Sequence, residues 1–119
     1  MPRVEVVFFR EDDETVPVRD WLDSISKKAQ AKCLVKLGRL EELGHELRRP
    51  EADNLRDDIY ELRVRLQDVN YCMLYFFHGR TAAAVSHGIV KQKKVPAREI
   101  DLAIARKRLF EADPEAHSE

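Results

Sequence analysis

A chain of 119 residues, 44% hydrophobic and 36% charged, suffices for one domain with a modest core and is too apolar for disorder. It has no run of about 18 apolar residues that could span a membrane, and its start, Met-Pro-Arg-Val-Glu-Val-Val-Phe-Phe-Arg, lacks the order of a signal peptide. The net charge of −1 is unevenly spread: residues 80–108 carry eight Lys/Arg against two Asp/Glu, whereas residues 1–79 carry thirteen against sixteen.

In chain order, residues 3–9 are β-branched and aromatic and predict a first strand. The acidic turn Glu11-Asp12-Asp13-Glu14 follows. Thr15 and Pro17 then start a helix whose apolar stripe is Val18, Trp21, Leu22 and Ile25. Ser26 is the expected N-cap of a longer helix running to about Leu43, with Cys33, Leu37 and Leu40 inward and Gly44 as its stop. The basic side of this helix (Lys27, Lys28, Lys32, Lys36, Arg39) is either a phosphate-facing surface or a solvated face. After a polar connector containing Pro50, Tyr60, Leu62, Val64 and Leu66 alternate with Glu61, Arg63 and Arg65, predicting a strand with one apolar and one polar face. Residues 70–77 make the next strand, His78-Gly79 the turn, and Thr81 to about His87 the third of a meander. Pro96 opens a last amphipathic helix closing at Arg106-Lys107-Arg108.

These elements predict an α+β domain over residues 1–111, an antiparallel sheet with helices on one face, followed by a frayed acidic tail, residues 112–119. The two cysteines, Cys33 and Cys72, fall in apolar patterns. They read as buried free thiols of a cytoplasmic protein rather than a disulfide framework.

A basic segment inside an acidic chain points to a local polyanion site. Arg63 and Arg65 share one strand face, and the loop carrying Lys91, Lys93 and Lys94 is expected at the same end of the sheet. Together they suit gripping a phosphate and stabilising its developing charge. The alternative is an outer sheet face dressed with Arg for solubility. Tyr71 or Tyr75 is placed to stack on a base. His87, beside the Lys loop, is a candidate for proton transfer or a satisfied strand-end histidine. The scattered His45, His78, His87 and His117 give no metal-ligand spacing, and neither a Gly-rich phosphate loop nor a nucleophile elbow is present.

The ordered set Leu55-Arg-Asp-Asp-Ile-Tyr-Glu-Leu-Arg63, Tyr71-Cys-Met-Leu-Tyr75-Phe-Phe, His87-Gly-Ile-Val-Lys91-Gln-Lys-Lys94-Val-Pro96 and Glu99-Ile100, with Ala103 and Arg106, resembles the phage-derived, HigB-like branch of the RelE/ParE toxin superfamily. The resemblance spans nearly the whole chain. It implies a RelE-like fold and a cytoplasmic toxin of a type II toxin–antitoxin module. Such a toxin cuts mRNA on the ribosome without cofactor or metal and is held inactive by a helix-turn-helix, HigA-like antitoxin encoded nearby. It further implies that Arg63 is a phosphate ligand and that Lys91, Lys93 and Lys94 form the cationic catalytic loop. With the reading of the residues above, Arg63 and Lys91 are the catalytic candidates, His87 the proton-transfer candidate, and Arg65, Lys93, Lys94 and Tyr71 the RNA contacts. Cys72 stands where the family often has Arg, and Ile89 where it often has an aromatic. A ParE-like toxin that binds a topoisomerase without cleaving RNA, and a degenerate member kept as an antitoxin-binding scaffold, remain the alternatives.

Overall fold

The computed structural model describes residues 3–119. Its elements are β1 (Glu5–Phe8), α1 (Pro17–Ser24), α2 (Lys27–Leu43), a 3-10 turn (Gly44–Glu46), β2 (Ala52–Arg56), β3 (Ile59–Leu66), β4 (Val69–His78), β5 (Ala82–Lys91) and α3 (Ala97–Ala112). The strands form one sheet in the order β1-β5-β4-β3-β2. The fold is α+β, as expected and as in a RelE-like arrangement.

Local chemistry sets the boundaries. Pro17, with its fixed φ and missing N–H, opens α1. The Ser26 hydroxyl accepts from the Ala29 N–H at 3.2 Å, satisfying one orphan donor at the start of α2. Gly44, at φ 52°, ends that helix by adopting a backbone that costs other residues strain. The β2–β3 and β3–β4 turns lack glycine altogether. Both central residues of each turn, Asp57-Asp58 and Gln67-Asp68, take positive φ, which matches the turn to the strands' twist.

Four expectations are corrected. The sheet is mixed, because β1 pairs parallel to β5 in the register Glu5↔Ala82 to Phe8↔Val85. The meander has four strands, since the polar segment Ala52–Arg56 hydrogen-bonds along β3. Helices cover both faces. Cys33, Leu37 and Leu40 of α2, with Val18 and Leu22 of α1, pack on Leu62, Val64, Met73, Tyr75 and Val85, while Ile100, Ala103 and Phe110 of α3 pack on Ile59, Cys72, Leu74, Phe76 and Ala84.

The tail, finally, is docked rather than frayed. His117 is buried and stacks on Phe9 at 5.2 Å, and Arg10 N–H donates to the His117 carbonyl at 2.9 Å. Glu119 N–H donates to the Phe8 carbonyl at 3.0 Å. The tail thereby occupies hydrogen-bonding positions along the edge strand β1. Among the described residues no helix is long and apolar enough to cross a membrane.

Candidate nucleic-acid interface

The sheet brings Arg63 and Lys91 together from strands separated by β4. Arg63 lies opposite Cys72, and Cys72 opposite Ile89. Both cations reach one carboxylate, Glu61, which is 3% exposed beside the start of α3. Lys91 Nζ donates to Glu61 Oε1 at 2.5 Å, and Arg63 Nη2 donates to Oε2 at 3.1 Å and to Asp53 Oδ2 at 3.2 Å. The Cys72 thiol donates to Glu61 Oε1 at 3.5 Å.

Burial works against ionising Glu61, but the hydrogen bonds and charges of Lys91 and Arg63 outweigh it and hold the carboxyl below its usual range. The Cys72 thiol is pushed far up, first by burial and then by the Glu61 charge, so it stays protonated and inert.

Beside this cluster lies an open groove of about 880 Å³. Its lining includes six cations, Lys32 and Lys36 of α2 with Arg63, Arg65, Lys91 and Lys93, against one carboxylate, Glu51. Val35, Val64 and Tyr71 supply its apolar surface. Glu51 is held at about 2 by hydrogen bonds from Arg39 and then Lys36, so it remains charged and tied to α2. Lys32 Nζ donates to the Arg65 carbonyl at 3.0 Å, fastening α2 to the end of β3. A smaller recess of about 390 Å³ on the α3 side shares Arg63, Lys91 and Lys93 and adds Lys94. These residues thus form a basic ridge between two hollows.

The residues expected from sequence divide as follows. Arg63, Arg65, Tyr71, Lys91 and Lys93 line the groove, and Lys94 borders the recess. Lys93 and Lys94 are exposed, and Arg65 is exposed and pairs with Asp68 at 3.1 Å. Tyr71 is half-buried, its ring edge-on to Trp21.

Lys91 departs from a solvent-facing side chain, because its stem runs back to Glu61 and leaves it only 11% exposed. His87 is buried. Its Nδ1 lies 2.7 Å from Ser86 Oγ and its Nε2 3.0 Å from Glu99 Oε1, and it lines neither hollow. Burial, followed by the Arg106 charge, lowers its basicity, although the bond to Glu99 opposes this.

Sequence reasoning passed over Glu61 as one more polar-face residue. Its signal was the Glu-x-Arg spacing on a strand followed by a fully apolar neighbour, since a carboxylate facing Leu74 needs a cation. Among the described residues no three His, Cys, Asp or Glu side chains converge as metal ligands.

Residues 20–108 match the family described as phage derived protein Gp49-like (DUF891), and the chain belongs to that family. No curated protein matches the chain.

Proposed function

We propose that this protein is the toxin of a type II toxin–antitoxin module and acts as a metal-independent endoribonuclease on mRNA held by the ribosome. The observation that carries the reading is the meeting of Arg63 and Lys91 on Glu61, at the margin of a groove lined by six cations and one carboxylate. The phage-derived family and the HigB-like order of motifs support it.

In this reading a message phosphate sits on the ridge between the hollows. The 2′-oxygen of the preceding nucleotide attacks the phosphorus and loses its proton. The bond to the 5′-oxygen breaks, and that oxygen gains a proton, leaving a 2′,3′-cyclic phosphate and a 5′-hydroxyl. Arg63 spends only Nη2 on Glu61 and Asp53, so Nε and Nη1 are left to donate to phosphate oxygens. Lys91 adds an ammonium beside them, and the two stabilise the pentavalent phosphate's charge. Tyr71 and Val35 offer a face for an unstacked base. With His87 buried, proton exchange runs through water at the groove. The ribosome supplies the orientation that turns the attack into an intramolecular event.

A helix-turn-helix, HigA-like antitoxin encoded nearby is the expected partner. Its acidic surface would complement segment 80–108.

A second reading has its own observation. Glu61 offsets the Arg63 and Lys91 charges, and Cys72 stands where relatives often have Arg. Both features favour a non-cleaving protein that binds a topoisomerase or only an antitoxin. Adding the purified protein to programmed ribosomes and mapping the message by primer extension tests the choice. New 5′-hydroxyl ends at ribosome-occupied codons are expected. An intact message, with supercoiling by a topoisomerase inhibited instead, establishes the second reading.

A further inference from the structure

The innermost cations of the groove are charge-compensated, as are Lys36 by Glu51 and Arg65 by Asp68, whereas Lys93 and Lys94 form no ion pair among the described residues. Arg63 and Lys91 both bond Glu61. Arg63 is also bound by Asp53, which Arg49 shares at 3.0 Å. Lys93 and Lys94, two and three residues beyond Lys91, stand in solvent on the loop leading to α3. A polyanion approaching from solvent is therefore drawn by the outer lysines, whose charge is available for counterion release. The inner pair, with one of its two charges cancelled by Glu61, contributes direction more than attraction. Two hydrogen-bonded cations on a common carboxylate of a rigid strand have little rotamer freedom left to lose.

We infer that Glu61 is the positioning residue of this site: its carboxylate fixes Lys91 and Arg63 and offsets their charge, so that they orient a phosphate which Lys93 and Lys94 attract. The inference rests on the reading of the groove as a polynucleotide-phosphate site. The cost of the arrangement is affinity, because one inner positive charge is cancelled before any phosphate arrives. Its benefit is placement, which matters more to a transition state than uniform attraction does. The Cys72 thiol fits this role, donating a weak hydrogen bond to the same carboxylate while adding no charge.

The test is Glu61→Gln, which keeps the shape and removes the charge. Its two readouts are binding of a short single-stranded oligouridylate across a salt series, and the rate at which an amine-modifying reagent labels each lysine. The parent labels at Lys91 roughly tenfold or more slowly than at Lys93, because a charge-assisted hydrogen bond holds the buried ammonium. Glu61→Gln closes that gap. It binds the oligonucleotide more tightly and steepens log Kd against log salt by about 0.7, the value for one further single-strand phosphate neutralised. On programmed ribosomes its kcat falls while KM does not rise.

A folded Glu61→Gln protein with parental salt slope and parental Lys91 labelling overturns the inference. If that variant does not fold, Glu61→Gln with Lys91→Met removes both partners of the pair and decides the matter. The double variant is expected to fold, keep the parental slope and lose turnover, and parental turnover contradicts the assignment. A parent that leaves messages intact refutes the ribonuclease reading alone, because the labelling of Lys91 still reports on Glu61.

Discussion

His87 and Glu99 meet across the packing of α3 on β5, Nε2 to Oε1 at 3.0 Å, with the Ser86 hydroxyl 2.7 Å from the other ring nitrogen. A neutral ring satisfies both contacts: Nε2–H donates to Glu99 and Nδ1 accepts from Ser86. Arg106, which donates to the Ser86 carbonyl at 3.3 Å and to Glu11 at 2.9 Å, closes the network from α3. The buried ring next to Arg106 resists protonation, so its folded pKa lies below the ordinary 6.5.

The consequence is a stability that falls with acid. Below the unfolded value near 6.5, the unfolded chain takes up a proton that the native ring refuses, so stability rises with pH in that window. Thermal melts between neutral pH and pH about 5 should show the midpoint dropping on acidification. Glu99, Arg106 and Ser86 face the ring, Glu11 holds Arg106, and all stay in place in His87→Gln, which should melt lower at neutral pH yet lose part of this slope. An unchanged slope in His87→Gln would assign the acid sensitivity to other groups.

Lys91→Ala should cost far more stability than its loop-side position suggests. It leaves Glu61, at 3% exposure, with one cation fewer, and breaking a buried ion pair from one side typically costs about 3–5 kcal/mol. Lys93→Ala and Lys94→Ala, on exposed positions, should leave the urea midpoint unchanged while flattening the salt dependence of RNA binding. Equal stability losses for Lys91→Ala and Lys93→Ala would contradict the buried pairing.

Gly88 is required by its neighbour rather than by its backbone angle. A Cβ there would lie 2.2 Å from the Trp21 ring. Gly88→Ala should therefore force α1 away from β5 and destabilise by about 1–3 kcal/mol, as overpacking does. Urea unfolding of Gly88→Ala checks this, and a parental midpoint would show that Trp21 yields freely.

Truncation after Ala112 should lower the melting temperature and speed amide exchange at Arg10, whose N–H donates to the His117 carbonyl. A dispensable tail would leave both unchanged.

Much of the frame was legible. Ser26, Gly44 and Pro17 marked helix ends because caps and stops act locally. The alternation from Tyr60 to Leu66 correctly gave β3 two faces. Two features were hidden for physical reasons. Strand β2, Ala-Asp-Asn-Leu-Arg, is a polar edge strand left through a glycine-free Asp57-Asp58 turn, so neither composition nor turn chemistry announced it. The parallel pairing of β1 with β5 is a long-range choice that no local pattern encodes. The placing of α3 on the second face was foreshadowed by the unbroken apolar run Tyr71–Phe77, since a strand without alternation is covered on both sides.

At the site, Arg63 and Lys91 could be paired by motif and sheet end. The partner that joins them, Glu61, was missed because alternation placed it on a face taken to be solvated.

The most direct measurement of the central claim is the mapping of transcript 5′-hydroxyl ends after brief induction, comparing the parent with Arg63→Ala. Arg63 is 37% exposed and joins the inner pair from the groove side. Its loss should depress cleavage at ribosome-occupied codons about a hundredfold or more, as losing one transition-state donor does, while the protein stays folded. Ends that are absent from the parent, or equally abundant in Arg63→Ala, would contradict a ribonuclease built on Arg63 and Lys91.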